Sequence, residues 1–302
     1  MPRIQILLIP WCALMGALLA ASLCGPPVLA EREAPPAGDP AGRPAYPWLA
    51  GAAGDPIRLR FPVPPGYARV PEPPGSFGEW LRGLPLLPGC PPVHLFDGRE
   101  KADQSAHAAV VRMDVGGRDL QQCADAVIRL RAEYLFSRDC ESSVAFHLTD
   151  GSVARWSDWS AGLRPALRGR RLEWRRDAAP KGGHAAFREY LDAVFTWAGT
   201  ASLARDLLPE EDPGRISAGD VFLHPGSPGH AVIVVDAAED ARGQRIFLLA
   251  QGYMPAQEIH LLKAPGSPLD PWYVVRPSAS LLTPEWTFGW NELRRFRSAD
   301  CP

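Results

Sequence analysis

The chain has 302 residues, 46% of them hydrophobic and 22% charged, with a formal net charge of −2. This composition excludes a wholly disordered or fibrous chain, and the near-balanced charge excludes a general basic surface for nucleic acid. Proline is the outlier at 33 residues, about twice the usual ~5% share. Lysine occurs three times and asparagine once, at Asn291.

Residues 4–24 are almost wholly apolar behind Arg3, and Val28-Leu29-Ala30 offers small residues for cleavage before Glu31. The pattern predicts a signal peptide over 1–30 and an exported chain, periplasmic or extracellular. An uncleaved N-terminal anchor and a lipoprotein at Cys24 are the alternatives; after cleavage no span remains. Residues 31–56, rich in Pro, Ala and Gly without hydrophobic periodicity, read as a flexible linker. Residues 57–302 then form one domain. It carries Cys90, Cys123, Cys140 and Cys301, for which three full pairings exist and sequence selects none. With no CxxC pair, no structural zinc is expected, and no other metal or cofactor.

Along the domain, residues 57–75 open with a short alternating strand and fall into proline turns. A short helix starts at Ser76 and stops before Pro85, and a strand is predicted over 107–115. The clearest helix runs over 120–136. Asp119 and Gln122 stand in capping-box spacing, and Cys123, Val127, Leu130 and Tyr134 form one apolar stripe, with Arg129, Arg131 and Glu133 largely off it. Short strands follow at 144–148 and 172–174, then one or two helices over 184–208, broken near Gly199. Residues 219–262 read as an antiparallel meander of four strands: 219–223, 230–237, 245–251 and 258–262. The aromatic stretch 271–297 packs on the core. The class is α+β.

Three residues from this reading carry chemistry. Cys123 sits in the first turn of its helix, where the partial positive charge favours thiolate and lowers the pKa. His230 opens a strand straight after Gly229, whose small size leaves room for substrate, and supplies the imidazole that a catalytic thiol needs. Gln251 ends the next strand and can orient that ring, though it brings no charge to stabilise imidazolium. Plainer readings stand beside these. Cys123 shares its stripe with Val127 and Leu130 as a core thiol would, or pairs in a disulfide. His230 and Gln251 can be a backbone-satisfied histidine and a polar strand end.

Secondary candidates are His107 as an alternative base, His260 as an alternative third member, and Gln122 as an oxyanion donor beside the Cys123 N–H. Gln122 also fits a purely capping role. Asp114, Asp119 and Asp125 lack EF-hand or zincin spacing and read as capping or solvated. Trp156, Trp159 and Trp174 read as aromatic core, and Arg164, Arg168, Arg170 and Arg171 as a solvated face.

The strings SFGEWLRGLPL, DLQQCADAVIRLRAEYL, WAGTASLARDL, GDVFLHPGSPGHAVIVVD and LLAQGYMPAQEIHLL resemble a bacterial family of exported proteins, domain-of-unknown-function family 4846, over residues 57–297. That resemblance implies one domain and supplies no activity. QCADA at a helix start, then GDVFL…GHAVIVVD and a strand ending in a polar residue, resemble the CHAP and NlpC/P60 groups of papain-like cysteine amidases and peptidases. This second resemblance implies a papain-like fold, with the Cys helix packed on an antiparallel sheet and Cys123, His230 and Gln251 in the catalytic roles. It departs from those groups in the wide Cys123–His230 spacing, which calls for an insertion at about 140–210, and in Gln at the third position. The implied function is an exported thiol hydrolase or transferase on amide or peptide bonds, with cell-wall peptide as a candidate substrate. The rival from another class is a non-catalytic envelope binding or structural protein on the same scaffold.

Overall fold

The computed structural model describes residues 43–51 and 54–297. The signal-peptide reading, Cys24 and Cys301 lie outside the described residues. The expected α+β class holds: one antiparallel sheet organises the domain, and helices pack on one of its faces.

Among the described residues this sheet has nine strands. Seven follow one path: His107–Val110, His260–Leu262, Arg245–Gln251, His230–Asp240, Val221–His224, Leu293–Phe296 and Leu207–Pro209. Tyr67–Arg69 joins the far end of His230–Asp240, and Tyr273–Val274 joins Arg245–Gln251. The four strands of the predicted meander are present and antiparallel. Their apolar runs are bounded by proline and glycine turns, which stop one strand and start the next.

The central strand, HAVIVVDAAED, is apolar on both faces because both are covered. Ala231, Ile233 and Val235 face a cluster that includes Ala124, Val127, Ile128 and Leu130 of the Cys123–Ser137 helix. Val232 and Val234 face a second cluster completed by Leu281, Phe288 and Leu293 from the C-terminal stretch. Between Leu248 and Leu249 the pairing jumps from Asp236 to Val234, so the central strand bulges there. Asp236, fully buried at that bulge, accepts from Arg82 Nε at 2.5 Å and from Arg69 Nε at 2.8 Å.

The Cys123–Ser137 helix begins three residues later than the predicted start at 120, and all fifteen of its residues are buried. The expectation that its charges lie off the buried stripe is overturned. Helix Gly183–Trp197, from the 140–210 segment, covers the side where solvent was expected, with Phe187 stacked on Phe136 at 4.4 Å. Arg129 is therefore enclosed, its charge met by Glu133 at 2.7 Å and Asp114 at 3.3 Å, while Gln121 Oε1 accepts from Nη1 at 2.9 Å. Arg131 lies over the rings of Phe77, Tyr134 and Phe296.

Two further expectations are corrected. Residues 57–60 form one turn of helix, Ile57–Arg60, not a strand. Four residues of alternating polarity fit either, and burial of Ile57 in the core decides. The linker reading of 31–56 fails from residue 43 onward. Tyr46 is buried and donates through Oη to Trp80 O, Trp80 Nε1 donates to Ala45 O, and Trp48 Nε1 donates to Arg112 O. The short helix expected from Ser76 is present as Phe77–Arg82, and Ser76 caps it, Oγ accepting from Glu79 N at 3.2 Å. The break near Gly199 separates Gly183–Trp197 from Thr200–Leu203.

A candidate thiol–imidazole site

Two contacts draw the start of the Cys123 helix against the ends of the central strands. Gly252 follows Gln251, and a Cβ there would come within 3.0 Å of Gln122 O and 3.1 Å of Ala126 Cβ, so only glycine admits the helix this closely. Asp119 accepts from Ala256 N at 2.7 Å and from Gln122 Nε2 at 3.0 Å, tying the loop after Gln251 to the residues before the helix. The predicted capping pair Asp119/Gln122 is thus displaced by three residues: the carboxylate that receives the Gln122 N–H, at 3.1 Å, belongs to Asp125. One N–H of the Gln122 amide is given to Asp119, which ties that side chain to the loop before the helix.

Cys123 is 7% exposed and a free thiol. Its sulfur is approached by the backbone N–H groups of Ala124 and of Ala231, the residue after His230. Burial raises the thiol pKa above its ordinary value, and Asp125 adds to the rise, while these N–H groups pull the other way. The lowered pKa expected from the helix start is therefore overturned: desolvation outweighs the dipole. Burial also pushes the Asp125 carboxyl up to about 8. The disulfide reading is excluded for Cys123 and holds for Cys140.

His230, 1% exposed, and Gln251 lie on neighbouring strands, and their side chains meet at 2.9 Å between Nε2 and Oε1. Hydrogen-bond polarity fixes the roles. His260 Nδ1 faces Glu258 O at 2.9 Å, which only accepts, so Nδ1 carries the proton and His260 Nε2 is bare. The Gln251 amide nitrogen donates to that Nε2 at 3.3 Å and to Glu285 Oε2 at 2.5 Å. The Gln251 oxygen is left for His230, whose Nε2 donates to it. His230 Nδ1 then holds the free lone pair, as a general base requires. No hydrogen bond joins it to the Cys123 sulfur among the described residues. Trp286, Tyr253 and Phe288 close around the ring, at 5.4, 5.0 and 5.9 Å between centroids.

The secondary histidines extend one row across four adjacent strands. His260 pairs in register with Gln251, and the His107 ring stands 6.1 Å from that of His260. His107 Nε2 is held by Pro91 O at 3.0 Å, two strands away from Gln251, so it does not join the Cys123 cluster. His260 touches Gln251 rather than His230. Burial lowers the His230 pKa to about 4, against the Gln251 hydrogen bond, and that of His260 to about 3.

Both rings are thus neutral in the fold at pH values where the unfolded chain binds protons, near 6.5. Stability from them is complete above about pH 6.5 and is lost as pH falls toward 4. Asp125 has the opposite sign: its raised pKa removes stability as pH rises from about 4 to 8. Chemical denaturation followed from pH 7 to 4 is expected to show a net loss, and His260→Gln should flatten the slope by up to one proton. An unchanged slope in that variant would rule out a buried neutral His260.

Gly229 has a different role from the one its size suggested. A Cβ there would meet Thr200 Oγ1 at 2.4 Å and Gly226 O at 2.5 Å, so the missing side chain serves packing of the turn, not entry of substrate. Glu285 and Lys101, absent from the sequence reading, complete the cluster: they form an ion pair, and Lys101 is 7% exposed. The sequence held no signal for either: lysine is scarce, but that Lys101 is buried is visible only in the fold. A surface cavity of about 430 Å3 is lined by Arg118, Trp159, Arg164, Glu189, Asp192 and Trp197 among others, none from this cluster. Among the described residues no group of three or more His, Cys, Asp or Glu could hold a metal, and no helix is long and apolar enough to cross a membrane.

The family model described as Domain of unknown function (4846) matches residues 57–295, most of the chain. No curated protein and no solved structure matches the chain.

Proposed function

We propose that this chain, which belongs to the domain-of-unknown-function family 4846, is an exported thiol hydrolase or transferase acting on amide or peptide bonds. Cys123 is the nucleophile, His230 the base and Gln251 the group that holds His230. The observation that carries the reading is the hydrogen bond from His230 Nε2 to Gln251, which leaves Nδ1 as the ring's base, on the residue just before the N–H that meets the Cys123 sulfur. Core packing of a cysteine needs none of this. The order along the chain, with a helix-start Cys and a His and polar residue on neighbouring strands, is that of papain-like enzymes.

A raised thiol pKa and a lowered imidazole pKa give a resting pair that is neutral, not thiolate–imidazolium. The thiol proton passes to His230 Nδ1 as sulfur bonds to the carbonyl carbon. The imidazolium then returns that proton to the departing amine as the C–N bond breaks, leaving a thioester. Water, or an acceptor amine, attacks the thioester with His230 again taking the proton, which regenerates the thiol. The Cys123 N–H at the helix start is the donor available to the oxyanion. Export rests on the apolar segment 4–24 and accords with a disulfide at Cys140. Cell-wall peptide is a substrate of the right chemistry and compartment.

Alkylation of folded protein by iodoacetamide, mapped by peptide mass, tests the site. Cys123 is expected to label, with a pH midpoint above the free-thiol value of ~8.5, and His230→Ala should slow labelling at pH 7 by removing the proton acceptor. Labelling only after denaturation would favour the non-catalytic binding protein.

A further inference from the structure

We propose that Glu285, paired with Lys101, is a positioning residue that locks the orientation of the Gln251 amide and thereby sets which nitrogen of His230 carries the proton. A glutamine amide can be turned over in place, exchanging oxygen and nitrogen at little cost in shape. The two orientations are opposite in effect. With oxygen toward His230, Nε2 donates and Nδ1 is a base. With nitrogen toward His230, Nε2 accepts, Nδ1 is protonated and the ring cannot take the thiol proton.

Two acceptors in the structure select the first orientation. Glu285 Oε2 receives the Gln251 amide nitrogen at 2.5 Å, and His260 Nε2 lies 3.3 Å from the same nitrogen. His260 can accept only because its Nδ1 is committed to Glu258 O. Lys101 has donors alone, and its pairing with Glu285 Oε1 holds that side chain turned inward, with Oε2 toward Gln251. Glu285 lies 34 residues from Gln251 in sequence and touches His230 only through it. A neutral amide beside the imidazole is thus given a fixed polarity by a charge one residue further out, which answers why Gln serves at this position.

The catalytic consequence rests on the reading of Cys123 and His230 given above; the tautomer itself does not. In Glu285→Gln, Lys101 draws the new amide oxygen. The new NH2 then faces Gln251 and favours its turning over. Nitrogen-15 NMR of histidine-labelled full-length protein at pH 7 reads the outcome directly. Wild type is expected to show His230 as the Nε2–H tautomer. Glu285→Gln should convert it partly or wholly to Nδ1–H, and Glu285→Asp should retain the wild-type pattern. Glu285→Ala gives the same readout should Glu285→Gln fail to fold: loss of one acceptor should yield a mixture. A wild-type Nδ1–H ring, or an unaltered Nε2–H ring in both Glu285→Gln and Glu285→Ala, overturns the proposal. On any amide that wild type turns over, Glu285→Gln should lose about 10²–10⁴-fold in kcat with little change in KM. Absence of wild-type turnover would count against the thiol hydrolase alone, the tautomer result standing.

Discussion

Cys123→Ala is expected to abolish amide turnover, a loss on the order of 10⁶-fold in kcat, while the protein melts within a few degrees of wild type. Both halves follow from the same geometry. The sulfur fills little of the core, which is held by Val127, Ile128 and Leu130 further along the helix, so removing it costs on the order of 1 kcal/mol. It is also the atom that Ala231 N–H and the helix start converge on, and in the proposed mechanism it is the group that forms the acyl bond. The pH profile adds a separate signature. Because burial holds His230 at about 4, the base stays available well below the ordinary imidazole value of ~6.5. The acid limb of kcat/KM should therefore lie near pH 4, provided the fold persists there, and a limb near 6.5 would mean that another histidine is the base. Turnover measured beside a melting curve separates the cases. Retained turnover removes Cys123 as nucleophile, and a collapsed melting transition makes it a structural thiol.

What was legible in the sequence was local. Four apolar runs between proline and glycine turns can pair in few ways, and the 219–262 meander forms as expected. The short helix read from Ser76 also forms, with Ser76 Oγ accepting from Glu79 N. Cys123, His230 and Gln251 were visible because each stands at the end of an element, where a polar or reactive group is out of place in a core. What failed depended on distant chain. The stripe argument for the Cys123–Ser137 helix presumes one wet face, but Gly183–Trp197 covers it and encloses Arg129 and Glu133. The helix-start argument for a low thiol pKa is a local field; the burial that reverses it comes from strands and loops more than a hundred residues on. Glu285 stands between Pro284 and Trp286, and nothing nearby in sequence shows that it meets Gln251 and Lys101. The need for glycine at 252 was not legible, because the close contact is with another element.

Asp236→Ala should be the most damaging single change to the fold away from the site. The carboxylate is fully buried in the central strand, and both oxygens are used: Oδ1 by Arg82 Nε at 2.5 Å and Ala237 N at 2.9 Å, Oδ2 by Arg69 Nε at 2.8 Å. Arg82 is itself 7% exposed and donates through Nη2 to Val70 O and Ala237 O. Removing the carboxylate leaves that guanidinium enclosed with Glu72 at 3.6 Å as its remaining ion-pair partner. Breaking a buried pair from one side costs roughly 3–5 kcal/mol, a large part of the ~5–15 kcal/mol that holds a domain together. At this chain length the melting temperature should fall by roughly 6–20 °C. The pair is also the seam between the Phe77–Arg82 helix, the Tyr67–Arg69 strand and the bulge, so the loss should expose that edge first in hydrogen exchange. The double variant Asp236→Leu/Arg82→Met discriminates the cause. If the damage comes from an unpaired buried cation, removing the cation as well should recover most of the loss, since well-packed apolar groups of similar volume replace such pairs at little cost. If the double variant is as unstable as the single one, the bulge itself depends on the carboxylate, through the Ala237 N–H that Oδ1 holds.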